Sequence, residues 1–140
     1  MPRSSSRAET PDRGAAAADE LAGDASFLRA DFADLGAVRS LAETLRSEYG
    51  RIDMLVNNAG TSQATRQRTD DGYEMTFAVN HLAHFLLTAR LADLLAESAP
   101  ARVVTVASAV HTRGDIDLEA VEAASEPDYD ALSAYARSKL

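Results

Sequence analysis

Cysteine and tryptophan are absent, and lysine occurs once, at position 139, against thirteen arginines. Without cysteine there is neither a disulfide framework nor a thiolate zinc site, and three scattered histidines form no recognisable ligand cluster. No metal is expected. Basic charge is also scarce: 22 acidic against 14 basic residues leave a net charge of −8. That balance disfavours phosphate backbones and anionic membranes, so neither nucleic acid nor a membrane surface is an expected partner. Long apolar runs are missing too. The longest apolar region, Leu82 to Leu95, is interrupted by His84, Arg90 and Asp93 and is too short to span a bilayer. Met1 to Arg13 carries charge, Ser and Pro but no apolar segment, so no secretory signal is read there. A reducing cytoplasm is the default expectation for location.

What is present suits a globular chain of about one domain: 140 residues, 46% hydrophobic and 26% charged. Residues 1–11, with Pro2, Ser4-Ser5-Ser6 and Pro11, read as a flexible leader, and 12–140 as one partial α/β domain. The Ala-rich stretch Asp12 to Leu21, stopped by Gly23, predicts a short helix. Ser26–Ala30 is a brief strand candidate ending at Asp31. Apolar residues at Leu35, Val38, Leu41, Ala42 and Leu45 predict an amphipathic helix to Tyr49, with Gly50 as its stop. Ile52–Val56 reads as a strand running into Asn57-Asn58-Ala59-Gly60. Asp70 to Leu95 contains a long helix, with Leu82, Phe85, Leu86 and Ala89 as its expected core-facing stripe. Arg102–Ala107 is the clearest strand, β-branched and short, and Ser108 follows it. Gly114 to Asp130 is acidic and loop-like, with a short helix expected over Leu118–Ala124, and a last helix begins near Ala131. Strands alternating with helices, and strands that are continuously apolar, predict a doubly wound parallel sheet covered on both faces.

In such a sheet ligands bind beyond the carboxyl ends of the strands. Asp31, Asn57 to Gly60, and Ser108 all stand at strand C-terminal ends. Three positions far apart in sequence would therefore converge on one rim. Tyr135 and Lys139 add a second signal, since a spacing of four stacks them one helical turn apart. An ammonium held beside a phenol favours the phenolate, which suits proton transfer. The bland alternative is a solvated pair on an exposed face.

Taken together, Asn57-Asn58-Ala59-Gly60 after a strand, Asn80 within Phe77-Ala78-Val79-Asn80-His81, Ser108 after Val103–Val106, and Tyr135-Ala-Arg-Ser-Lys139 resemble the short-chain dehydrogenase/reductases. The likeness is to the retinol-dehydrogenase-like members and covers about residues 12–140. It implies a Rossmann-like fold and an NAD- or NADP-dependent enzyme interconverting a small-molecule alcohol and a carbonyl by hydride transfer. Tyr135 would be the general acid/base. Lys139 would favour the Tyr135 phenolate and hold the nicotinamide ribose. Ser108 would polarise the substrate oxygen, and Asn80 would position a water behind Lys139. Asp31 is similar to the family's adenine-contacting acid, and Asn57, Ala59 and Gly60 to the turn against the adenosine half. Asp31 also suits the N-cap region of the following helix. The resemblance further allows a homo-oligomer of the full-length form.

Two departures shape the expectations. The family's opening strand and glycine-rich pyrophosphate turn have no counterpart in this sequence, where Gly14 and Gly23 are the only glycines before Gly36. The Ser108–Tyr135 interval is also long, and its insertion, Thr112 to Ser133, would line the substrate mouth. The chain thus reads as an internal fragment whose Rossmann-like sheet is incomplete. In the family's strand order the Ser26–Ala30 and Ile52–Val56 strands would be separated by two others, a gap of roughly 14 Å at ~4.8 Å per strand. With the pyrophosphate turn missing and the sheet incomplete, the 140-residue chain by itself is expected to show no dehydrogenase activity and no sub-millimolar NAD(P) binding and to be an unstable or associating monomer. The competing functional reading is a catalytically inactive remnant or interaction fragment.

Overall fold

The computed structural model describes residues 11–21, 24–116 and 129–140. Helix α1 (Pro11–Glu20) opens on Pro11, whose missing N–H costs nothing at a first helical position. Ser26–Ala30 takes no regular structure and joins no ladder among the described residues, which corrects the expected strand. Its sequence carries strand propensity; what it lacks is a neighbour to pair with. Asp31 accepts a hydrogen bond from Ala33 N–H at 2.9 Å, and the chain then enters α2 (Leu35–Glu48). The N-cap is Asp34, whose carboxylate accepts from Gly36 and Ala37 N–H.

Strand β1 (Met54–Asn57) follows, and after a polar loop a helical run begins at α3 (Met75–Phe77). It passes through a π-turn, Ala78–Leu82, into α4 (Ala83–Glu97). Strand β2 (Arg102–Thr105) then pairs parallel with β1, in the register Met54–Arg102, Leu55–Val103, Val56–Val104 and Asn57–Thr105. β1, α4 and β2 therefore form one βαβ unit, the connection that parallel strands require. A 3₁₀ turn at Ala109–Arg113 and helix α5 (Ala131–Ser138) complete the described elements. The short helix expected over Leu118–Ala124, and most of the Thr112–Ser133 insertion, lie outside the described residues, as does the leader up to residue 10.

The core forms where α2 crosses α4. Val38 and Ala42 of α2 meet Ala83, Leu87, Leu91, Leu94 and Leu95 of α4, and Phe32, Ile52 and Leu55 close around them. Each fully buried leucine contributes about 1.5–3 kcal/mol relative to exposure. The α4 face in use is not the expected one: Phe85 is 68% exposed, whereas Leu91 is fully buried. Both stripes are apolar, so periodicity alone does not choose between them, and the docking of α2 does. The sheet departs from expectation in the same way. Leu55 packs on the helices, but Met54 and Val56 remain 52% and 50% exposed, and every residue of β2 is exposed. Among the described residues only Leu55 and Asn57 of β1 are covered, and β2 is exposed on both faces.

Candidate active site

The turn after β1 and the π-turn are tied by one side chain. Asn80 stands inside the π-turn, where the widened helix carries it toward the strand ends. Its amide oxygen accepts from Thr61 N–H at 2.8 Å, and its amide nitrogen donates to Thr61 C=O and to Ser138 Oγ, both at 2.9 Å. Asn80 is 4% exposed, so a buried polar group that would otherwise be costly has a partner for the oxygen and for both amide hydrogens. One residue thereby pins the β1 turn and α5 to the same point.

Gly60 lies against that point. A Cβ placed there would stand 3.3 Å from Asn80 Oδ1 and 3.7 Å from Lys139 Nζ, so the bare backbone is what permits the approach. Lys139, the C-cap of α5, donates from Nζ to the Val106 carbonyl at 3.2 Å, and Val106 N–H donates to Asn57 C=O at 3.0 Å. The ammonium is thus held over the end of the sheet. Its Nζ lies 5.8 Å from the centroid of the Tyr135 ring, within cation–π range. Tyr135 is half-buried on α5, one turn before the lysine.

Of the residues singled out in the sequence, Asn57, Gly60, Asn80, Tyr135 and Lys139 are joined by this web of contacts. Asn57 is buried at the end of β1, its amide donating to Thr88 Oγ1 at 3.0 Å. Ala59 is exposed in the adjoining turn. Ser108 stands on the same rim, past β2, as the half-buried N-cap of the 3₁₀ turn. Its hydroxyl accepts from Val110 N–H at 3.4 Å, and its carbonyl accepts from His111 N–H. Asp31 keeps to local bonds, in the turn that precedes the Asp34 cap.

Other participants were not singled out. Ser138 and Thr61 complete the Asn80 bonds, and His84 presents Nδ1 to the Asn80 carbonyl at 2.9 Å. Their signal was available: Asn80 and His84 are four apart on one helix. Burial holds the His84 imidazole below the usual histidine range, opposed by its bond to the Asn80 carbonyl and aided by the nearby positive Lys139. Behind the rim, Glu74, 2% exposed, accepts from Thr76 and Phe77 N–H and from the Tyr129 hydroxyl at 3.1 Å. Burial raises the Tyr129 phenol above its ordinary range, and the neighbouring Glu74 adds to the shift, against a lowering bond with Thr76. Tyr129 is 55 residues from its partner, a distance at which spacing carries no signal.

The sequence model of the short chain dehydrogenase family matches residues 4–124. The chain belongs to that family. Within it the chain is retinol-dehydrogenase-like: it is 46% identical over 110 residues to human retinol dehydrogenase 14, and 42% identical over 134 residues to the mouse protein. These alignments take in 79% and 96% of this chain but 32% and 40% of the relatives, so it spans well under half their length. Among solved structures, an active-site complex of Pseudomonas aeruginosa RhlG with NADP superposes with a TM-score of 0.68 at 30% identity. That match covers 94% of this chain and half of the other. An uncharacterised Mycobacterium paratuberculosis protein gives a TM-score of 0.77 at 36% identity, over 91% and 44% of the two chains. The fold of this short-chain dehydrogenase relative is Rossmann-like, here with a two-stranded parallel sheet among the described residues. No described helix is long and apolar enough to cross a membrane.

Proposed function

We propose that this chain carries the catalytic side of an NAD(P)-dependent oxidoreductase that interconverts a small-molecule alcohol and a carbonyl. The observation that carries the reading is the gathering of Gly60, Asn80 and Lys139 at the sheet rim, with Tyr135 beside the lysine. The Lys139 ammonium suits the ribose of the nicotinamide half of a dinucleotide, because a sugar diol there would need a donor, and the bare Gly60 backbone suits close approach of the cofactor on its adenosine side. A bound nicotinamide would accept or supply the hydride. The proton falls to the protein. Tyr135 gives it to the carbonyl oxygen in reduction and removes it from the alcohol in oxidation. Lys139 stabilises the phenolate between these events, and Ser108 steadies the substrate oxygen where negative charge develops. Asn80 acts through others, by fixing the Gly60 turn and Ser138.

The test is turnover with both nicotinamide cofactors and a panel of alcohols and carbonyls. In a completed version of the chain that carries the family's pyrophosphate turn, Tyr135→Phe is expected to lower the rate by about 10²–10⁴ with cofactor affinity nearly unchanged, since only the proton donor is lost. Lys139→Ala is expected to weaken cofactor binding and rate together. A Tyr135→Phe protein that turns over like the parent sinks the assignment. The exposed strand residues Met54, Val56 and Val104 favour one other reading, a non-catalytic interaction fragment. Absence of turnover and of cofactor binding in the completed chain selects it.

A further inference from the structure

Helix α5 carries Tyr135 and leads into Lys139, so what holds this helix decides where both side chains lie. Among the described residues, the hydrogen bonds that tie α5 and its C-cap to other elements all leave from the last turn. Arg137 Nε donates to Asp115 C=O, Ser138 Oγ accepts from the Asn80 amide, and Lys139 Nζ donates to Val106 C=O. A short helix bonded at one end can tilt about that end. At about 1.5 Å per residue, Ala131–Ser138 spans about 12 Å, so a small tilt moves the first turn and carries the Tyr135 ring with it.

The residue just before the N-cap supplies the missing hold. Tyr129 precedes Asp130, and its hydroxyl donates to Glu74 Oε1 at 3.1 Å. Glu74 is itself the N-cap of α3 and is 2% exposed; Oε1 also accepts from Thr76 N–H and Oε2 from Phe77 N–H, both at 2.8 Å. The fully buried Thr76 hydroxyl stands 3.5 Å from the Tyr129 oxygen, so the phenol can accept there while it donates to the carboxylate. Gln63 C=O, at 3.4 Å, is the more distant acceptor for the same proton. A carboxylate fixed by two backbone donors and removed from water holds its third donor tightly. Glu74 and Asn80 belong to one continuous helical run, so α5 is fastened to that run at both ends, through Tyr129 at its start and Ser138 at its finish. Tyr135 lies between them.

We propose that Glu74 and Tyr129 form a latch that fixes the tilt of α5 and so sets where the Tyr135 phenol stands. Both are positioning residues: they act on the proton donor through the helix that bears it. Loss of the latch frees the first turn of α5, while Lys139, secured in the last turn, keeps its place. The catalytic meaning of the latch rests on the proton-transfer role given to Tyr135 above, but the latch itself does not.

Tyr129→Phe tests this, because it keeps the ring and removes only the hydroxyl. Hydrogen exchange of the 140-residue chain is read by mass spectrometry on peptides from α2, α4 and α5. The α5 amides are expected to exchange about tenfold faster in the variant, as the loss of one hydrogen bond to a charged group implies, with α2 and α4 at parent rates. Unchanged α5 exchange overturns the latch. Equal acceleration in all three helices also overturns it, since the hydroxyl would then serve overall stability and not the tilt of one helix. In a completed chain that carries the pyrophosphate turn, the same variant is expected to lower kcat by about 10–10²-fold with the cofactor KM within about twofold, because a displaced phenol transfers its proton poorly while Lys139 stays in place. An α5 that loosens with kcat unmoved overturns the positioning role. A completed parent without turnover defeats the oxidoreductase reading instead, and the exchange rates still decide the latch.

Discussion

Asn80 shows how a single side chain can hold three segments at once. Replacing it with leucine strands Thr61 N–H and Thr61 C=O, while the Ser138 hydroxyl keeps its bond to the Tyr135 carbonyl, and at about 1–3 kcal/mol for each of the two groups left dry the expected loss is roughly 2–6 kcal/mol. Urea unfolding of Asn80→Leu beside the parent measures it, and an unchanged midpoint would show that water replaces all three bonds. A side chain at Gly60 meets Asn80 Oδ1 before Lys139, so Gly60→Val is expected to press on the Asn80 bonds and lower the melting temperature. Two histidines give the fold a pH dependence. Burial depresses both His81 and His84, so the unfolded chain binds more protons than the folded one below the ordinary histidine value of 6.5. Stability is complete above that value and falls as pH drops through it toward the depressed folded values. Denaturation midpoints at pH 7.5 and 5.5 test the sign, and His84→Gln should flatten the curve.

Elements were legible in the sequence wherever local chemistry decides them. The Leu35–Glu48 helix, with its leucine spacing, and the short β-branched strand after Ala101 stand within two or three residues of expectation. The meeting of the Asn57–Gly60 turn and Ser108 at one rim was legible as well, because parallel strands deliver their C-terminal ends to the same side, whereas Asp31 follows a segment that joins no ladder among the described residues. What was not legible is set by partners remote in sequence. Ser26–Ala30 has the composition of a strand and no strand beside it, and α4 offers two apolar stripes of which α2 selects one. Leu91→Ala is accordingly expected to cost about 2–5 kcal/mol, whereas Phe85→Ser should stay within about 0.5 kcal/mol. Equal effects would return Phe85 to the core. The π-turn is a third feature that spacing does not announce. Because a π-turn holds one extra residue, a deletion of Val79 that restored regular helix should keep His84, Leu87 and Leu91 near their present face.

At the scale of the whole molecule, packing is uneven. α2 and α4 enclose a leucine core, while the strands they serve leave Met54, Val56, Val103, Val104 and Val106 between 41% and 52% exposed. Exposed apolar strand residues on this scale mark association. The chain is expected to bind a hydrophobic dye strongly and to sediment as concentration-dependent species, and a dye-silent monomer at all concentrations would refute this. The acidic charge of −8 opposes association at low ionic strength, so added salt should promote it. The half-wet sheet has a calorimetric consequence as well. Unfolding raises the heat capacity mainly by exposing apolar surface, at about 12–15 cal/mol/K per residue in ordinary domains, or roughly 1.7–2.1 kcal/mol/K for 140 residues. Valines already in contact with solvent have little left to expose. The heat-capacity step of this chain should fall below that range, giving a shallow stability curve in which warming and cooling both change the folded population gently.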